Sequence, residues 1–402
     1  MLRKFCPVCK CENLTPLLRL PDIPVFDNVL AESPEAAIGV TKGTQSLVQC
    51  GCCGFVFNAE FEPEKVIYST DYHAERGTSS YYQAHIKRVV EFIQKTSPIQ
   101  GRLCMEIACG NSEFLCELAN QKPAKAIGVD PSASPVVERD LEIQRRFFDE
   151  TYLAEMPQPV DIIINRHMIE HILNPLETLR QFYQALAADG ILYLETPRLD
   201  WILENKTFFD FPYEHCAYYT DRFLERLLKA AGFDIVAKEY SYGGQYFSIC
   251  AKKGKNHFVL DPVPPEELTK TRELFSAVSH VYSALLMAEK LQGCIATLRT
   301  DVSVLKLPSN GLYFWGAAAK GVMCANLLDQ WLVEGFIDKN PYKQGKFIPG
   351  TGHIVLAPNE IKYPRVKVVV VENDVYYPEI FCQLQKIDRQ ISAIKLSDLL
   401  KV

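Results

Sequence analysis

Nowhere in the chain does an apolar run reach the roughly 18 residues that a membrane-crossing helix needs, so no membrane partner is expected. The opening residues, Met1 to Cys6, lack the apolar core of an export signal, which points to a cytoplasmic protein. A positive balance is missing too. Lys and Arg number 43 against 49 Asp and Glu, for a formal net charge of -6. Nucleic-acid surfaces are usually basic, so no nucleic-acid partner is expected, although one basic pocket for a phosphate is still allowed. The dinucleotide-binding pattern Gly-x-Gly-x-x-Gly is absent, as is any internal repeat of short period.

What is present suits a globular protein. The 402 residues are 48% hydrophobic and 23% charged, which implies two or three domains. Most of the 14 cysteines are scattered among apolar neighbours (Cys104, Cys109, Cys116, Cys250, Cys294, Cys324, Cys382) and need no role beyond small buried hydrophobes. Two close pairs differ. Cys6-Pro-Val-Cys9 and Cys50-Gly-Cys-Cys53 each set two thiols at the ends of a four-residue turn. Two such turns can complete a tetrahedral zinc site, and Gly54 lets the second turn tightly. Four thiolates leave no open coordination position, so the zinc would be structural. Cys11 and Cys52 are then spare.

From residue 81 the periodicity becomes helical, with Ile86, Val89, Val90 and Ile93 on one stripe through residue 94. Strands are expected at 103–108, 126–129, 162–165 and 191–194, with helices at 113–119 and 176–186 between them. A helix at 221–231 and strands near Ile235 and over 247–251 would complete this unit. Such alternation implies a parallel sheet covered by helices. A proline-bearing linker (252–265) leads to a long helix with Leu274, Val278, Val281, Leu285 and Leu291 on one side. A second β/α unit follows: a strand at 312–315, a turn at 316–321, a helix at 322–328, and strands at 333–337 and 368–371. The expected division is a zinc-binding domain (1–62), an α/β domain (63–252), a linker and helix (253–307) and a second Rossmann-like α/β domain (308–402).

Glu106-Ile-Ala-Cys-Gly-Asn-Ser112 lies between a strand and a helix, with Asp130 about 20 residues on. A turn without bulk admits a nucleotide cofactor, and an acid ending the second strand bonds a ribose diol. Ala108 and Ser112 stand where glycines are usual. Ligands of open α/β sheets bind beyond the carboxyl ends of the strands. There lie Asn165 to His171, Glu195-Thr-Pro197 and Tyr213-Glu-His215. Histidine suits proton removal near neutral pH, and a neighbouring carboxylate favours its charged form. Glu170-His171 could equally cap the following helix, and His215 could make a structural hydrogen bond.

With these pieces in order, the chain resembles the sugar C-methyltransferase family along nearly all its length. The most specific stretch is Trp315-Gly-Ala-Ala-Ala-Lys-Gly321, with Phe336-Ile-Asp-Lys-Asn-Pro341 and Gln344 to Gly350. The resemblance implies a zinc domain, a class I S-adenosylmethionine-dependent methyltransferase core and a C-terminal Rossmann-like domain. It places zinc on Cys6, Cys9, Cys50 and Cys53, and the cofactor on Glu106, Ala108, Gly110, Asn111, Asp130 and Asn165. Catalysis falls on His215 as base, Glu214 beside it, and His171 near the sugar or its ketone. Substrate contacts fall on Gly316, Ala318, Lys320, Asp338 and Asn340. The implied substrate is a nucleotide-linked 4-keto-deoxysugar, thymidine diphosphate being the expected carrier, and the protein a monomer or homodimer. Pro212 departs from the pattern, since sugar-methylating members often carry a tyrosine there; Tyr213 or Tyr218 could substitute. A further pocket tyrosine is Tyr68, Tyr72, Tyr81 or Tyr82. The rival readings are an O- or N-methyltransferase of a small metabolite, a zinc-ribbon nucleic-acid methyltransferase, and a non-enzymatic zinc-ribbon interaction module.

Overall fold

The computed structural model of the chain describes residues 3–67, 79–133, 141–254, 259–290, 311–328 and 333–399. Its α/β class is the one expected, with three sheets instead of two.

The first sheet joins β1 (Leu14–Pro24), β2 (Lys42–Cys50) and β3 (Val56–Asn58) in antiparallel order, with the short helix α1 (Pro34–Ile38) between β1 and β2. Pro16, Pro21 and Pro24 interrupt β1. The structure absorbs that strain with register shifts between Pro16 and Leu18 and between Leu20 and Ile23. The fourth strand, β9 (Ala217–Tyr218), comes from far along the chain and pairs Val56 with Tyr218 and Phe57 with Ala217. Residues 1–62 therefore do not complete their own sheet.

The second sheet has seven strands. α2 (Ser80–Thr96) leads into β4 (Leu103–Ile107), α3 (Glu113–Ala119), β5 (Lys125–Val129), β6 (Leu141–Gln144), α4 (Glu150–Glu155) and β7 (Val160–Arg166). Then come α5 (Pro175–Ala185), β8 (Leu186–Pro197), α6 (Leu199–Glu204), α7 (Asp221–Ala230), β10 (Phe233–Ser241) and β11 (Tyr246–Lys253). The order is β10-β11-β8-β7-β4-β5-β6. Strands β4 to β8 run parallel, and β11 inserts antiparallel between β8 and β10. Ile162, Ile163 and Ile164 are all fully buried, as a strand covered on both faces requires. The strand order reverses direction at β4, which opens a crevice at the carboxyl ends of β4, β5 and β7.

Helix α8 (Pro265–Lys290) buries Phe275, Val278 and Val281 and packs on both β1 and α6. Leu291 lies outside the described residues. The third sheet, β14-β13-β12-β15-β16, is wholly parallel. It comprises β12 (Leu312–Trp315), α9 (Ala319–Leu327), β13 (Gly335–Ile337), β14 (Val355–Leu356), β15 (Val368–Val371), α10 (Tyr377–Ile387), β16 (Ser392–Lys395) and α11 (Leu396–Leu399). Its reversal point lies between β12 and β15. Among the described residues, no helix is long and apolar enough to cross a membrane.

Candidate active site

Glu106 stands near the end of β4 and is 3% exposed; burial pushes its carboxyl up to about 8, against the opposing charge of Arg166. Its Oε2 meets no partner among the described residues. The turn that follows uses left-handed backbone at Ala108 (φ 64), Gly110 (φ 51) and Ser112 (φ 62). Alanine and serine hold that conformation at about 1–2 kcal/mol each, which is why glycine is the usual occupant. A Cβ at Gly110 would meet nothing within 4 Å, so the turn is open on the cavity side. A buried, unpartnered carboxyl oxygen beside an open turn fits the cationic amino-acid end of the expected cofactor.

Asp130, at the end of β5, accepts the Gly110 N–H (2.9 Å) on one oxygen and the Ser132 N–H and hydroxyl (both 2.7 Å) on the other. It thus ties two turns together, and a carboxylate with about four acceptor sites still has room for a ribose hydroxyl. Ala108, Gly110, Asn111 and Asp130 all line the cavity. Asn165 does not. Fully buried, it donates to the Ile107 carbonyl (3.2 Å) and so fastens β7 to β4 instead of facing a ligand. Arg166 takes the wall position, paired through Nε and Nη2 (3.1 and 3.0 Å) with the fully buried Glu195.

The histidines after the strands converge. The rings of His171 and His215 meet edge to face with centroids 4.9 Å apart. Ligating atoms of Glu170, His171 and His215 all lie within 4.8 Å of one another. Burial pushes the His171 ring down, with Glu170, Asp27 and a hydrogen bond to the Glu214 backbone opposing. Burial works against the charge of Glu170, but the His167 hydrogen bond and the His167, His215 and His171 charges win and hold it at about 2. The Thr196 hydroxyl also donates to Glu170 (3.0 Å). Glu214 is nearly fully buried, and its Oε2 accepts the Asp27 N–H at 3.4 Å.

Neither nearby tyrosine replaces the one missing at Pro212. The Tyr213 hydroxyl accepts the Glu62 N–H (2.9 Å) and that of Tyr218 accepts the Gln45 amide (2.7 Å), so both point into the first sheet. Of the upstream candidates, Tyr82 lines the cavity, Tyr81 sits behind it against Tyr242, and Tyr68 and Tyr72 lie outside the described residues.

Gly316, Ala318, Lys320, Asp338 and Asn340 also reach the cavity. Lys320 is not a free cation, because its Nζ meets both carboxylate oxygens of Asp210 at 2.5 and 2.6 Å, joining the third sheet to the second. Asn340 Nδ2 is buried without a partner among the described residues, leaving a donor for a ligand.

The four thiols of the paired turns also come together. Cys6 and Cys53 sulfurs are 3.7 Å apart, those of Cys9 and Cys50 3.5 Å, and all four lie within 4.8 Å. Tetrahedral zinc with bonds of about 2.3 Å sets its sulfurs roughly 3.8 Å apart, so the cluster fits the metal. Cys11 and Cys52, spare by spacing, are joined as a disulfide.

One cavity of about 660 Å³ runs from the Glu106 turn past His171 and His215 to the Gly316 turn. Sequence reading missed several of its walls, including Asp27, Tyr242, Gln245 and Asn373. Gln245 and Asn373 exchange side-chain amide bonds (2.9 and 3.1 Å) across the two Rossmann-like sheets. Glu170, named in the sequence only as the neighbour of His171, also lines the cavity.

Residues 79–238 match the family described as a methyltransferase domain, and residues 284–393 the C-methyltransferase C-terminal domain. The C-methyltransferase NovU of Streptomyces niveus is 24% identical over 366 residues, 88% of this chain and 86% of that protein. A tRNA U34 carboxymethyltransferase of Helicobacter pylori is 25% identical over 122 residues, covering 27% of this chain and 46% of that protein. Magnesium protoporphyrin IX methyltransferase from Synechocystis, solved with bound SAH, overlaps 43% of this chain and 84% of its own at 15% identity and a TM-score of 0.35.

Proposed function

We propose that the chain is a class I S-adenosylmethionine-dependent methyltransferase, ending in a C-methyltransferase C-terminal domain, that methylates the carbon beside the ketone of a nucleotide-linked 4-keto-deoxysugar. The observation that carries this reading is the continuity of the cavity. Its cofactor turn, paired histidines and C-terminal glycine turn all line one space of about 660 Å³.

When bound, S-adenosylmethionine supplies an electrophilic methyl group on a positively charged sulfur. Carbon cannot attack it until a hydrogen beside the carbonyl has left as a proton. His215 accepts that proton, and the ionised Glu170 beside it steadies the imidazolium that results. His171 is neutral near pH 7 because burial disfavours its charge. A neutral ring has one N–H; with that proton on the Glu214 carbonyl, the other nitrogen offers an acceptor, suited to a sugar hydroxyl and not to an enolate oxygen. Glu106 and Asp130 hold the donor, and Asp338 and Asn340 hold the sugar nucleotide. The four thiolates hold a structural zinc that touches none of these steps.

The test is incubation with a methyl-labelled donor and several nucleoside-diphosphate 4-keto-deoxysugars, with the product read by NMR. A new carbon-bound methyl group next to the ketone is expected. Label found only on oxygen or nitrogen would overturn the reading in favour of an O- or N-methyltransferase.

A further inference from the structure

The segment that carries His215 is held largely from outside its own sheet. Gln45, on β2 and fully buried, aims its amide Nε2 at the carbonyls of Pro212 and His215, 2.9 Å from each. The same nitrogen lies 2.7 Å from the Tyr218 hydroxyl. The two carbonyls bracket Glu214. Further ties join the same segment to the first sheet and the residues beside it: Asp27 N–H to Glu214 Oε2 (3.4 Å), Glu62 N–H to the Tyr213 hydroxyl (2.9 Å), and Asn58 N–H to the Cys216 carbonyl (2.9 Å). Gly43, also on β2, lets the Tyr213 ring lie against the backbone, since a Cβ there would sit 2.2 Å from the ring. All these partners come from residues 27–62.

We propose that Gln45 is a positioning residue for the base: its amide fixes the separation and tilt of the Pro212 and His215 carbonyls, and so the place where the imidazole meets the substrate carbon. This rests on the reading of His215 as the base. It gives the N-terminal region a task in the reaction. β2 ends at Cys50, one of the four clustered thiols, so whatever those thiols bind also steadies the strand that presents Gln45. Geometry of this kind matters for rate, because a misplacement of about 1 Å costs roughly a hundredfold.

Gln45→Met keeps the length of the side chain and removes both N–H donors. In the full-length protein, kcat for methyl transfer should fall at least about tenfold, with substrate KM and the dissociation constant of S-adenosylhomocysteine within about twofold of wild type. Exchange of the substrate hydrogen with deuterated solvent, run without methyl donor, should fall by the same factor. Zinc content by elemental analysis and Tm report whether the variant is folded. Gln45→Asn, which keeps the donors but withdraws them by one methylene, serves if Gln45→Met does not fold, and should also lower kcat without raising KM. Unchanged kcat in a folded variant overturns the proposal, as does a parallel loss of cofactor binding, which would mark general damage. His215→Asn, measured beside them, separates the two ideas. If it still exchanges the hydrogen, the base assignment fails; if it does not while folded Gln45→Met exchanges normally, only the role of Gln45 fails.

Discussion

In the seven-stranded sheet, β4 leads into a turn whose Gly110 N–H bonds Asp130 at the end of the next strand; in the five-stranded sheet, β12 leads into a turn whose Ala317 N–H bonds Asp338 at the equivalent place, both at 2.9 Å. Each acid also accepts the backbone N–H two residues on, from Ser132 (2.7 Å) and Asn340 (2.8 Å). The corners match, but their contents differ. The first turn is open at Gly110, and Glu106 leaves an oxygen unpartnered beside it. The second turn is filled. Glu372 lies so close that a Cβ at Gly316 or Gly321 would stand 2.8 or 2.3 Å from its carboxyl oxygen. Burial, with Asp338 beside it, pushes that carboxyl well above the usual range. A carboxyl whose charge is disfavoured by burial therefore occupies the space where a Rossmann turn would cradle a phosphate. Shared topology fixes where a ligand can sit, and one side chain decides which ligand does.

The largest effect that would sharpen this contrast is one of pH. With its carboxyl raised from 4.5 to about 8, Glu106 binds a proton that a cationic ligand must displace. Affinity for S-adenosylhomocysteine should climb between pH 6 and 8 by up to about tenfold per pH unit, and Glu106→Gln should flatten the slope. The sign for stability is opposite: the contribution of Glu106 to the cofactor-free fold is full below pH 4.5 and lost as pH rises through 8. Isothermal titration across that range checks the first point, and a pH-independent wild-type affinity would remove Glu106 from the site.

The two matched acids offer a more direct break. Asp130→Ala should weaken S-adenosylhomocysteine binding by about 1.5–3 kcal/mol, whereas Asp338→Ala should leave it unchanged and weaken only the sugar nucleotide. Equal losses from both substitutions would mean that the two corners do not divide the ligands. Smaller still is the expected effect of Gly321→Ala. Its Cβ would press on Glu372 and on the Gly316 carbonyl, both 2.3 Å away, and should lower stability by about 1–3 kcal/mol in thermal unfolding with cofactor affinity intact.

Much of this was legible in the residues. The isoleucine run of β7, the apolar stripe of α2 and the short strand β12 announce themselves through local pattern, and the Cys-x-x-Cys turns through spacing. Glu106, His171 and His215 meet in one cavity because strand ends in an open sheet converge. What was not legible depends on partners far away in the chain. Lys320 reads as a substrate contact until Asp210, 110 residues earlier, is seen to pair with its ammonium. Asn165 reads as a polar residue at a strand end and turns out to bond inward to β4. Gln45 carries no signal at all, since its partners lie 167 to 173 residues away. In the first sheet, β1 is interrupted by Pro16, Pro21 and Pro24, and β3 and β9 are only three and two residues long.

Methylation at carbon requires the loss of a proton from that carbon before any methyl group moves. The measurement is NMR of a nucleotide-linked 4-keto-sugar in deuterated water with the enzyme and no methyl donor. Wild-type protein should exchange the hydrogen beside the ketone, and His215→Asn should slow that exchange by about a hundredfold or more while binding S-adenosylhomocysteine normally. Exchange at the wild-type rate in His215→Asn would contradict the account.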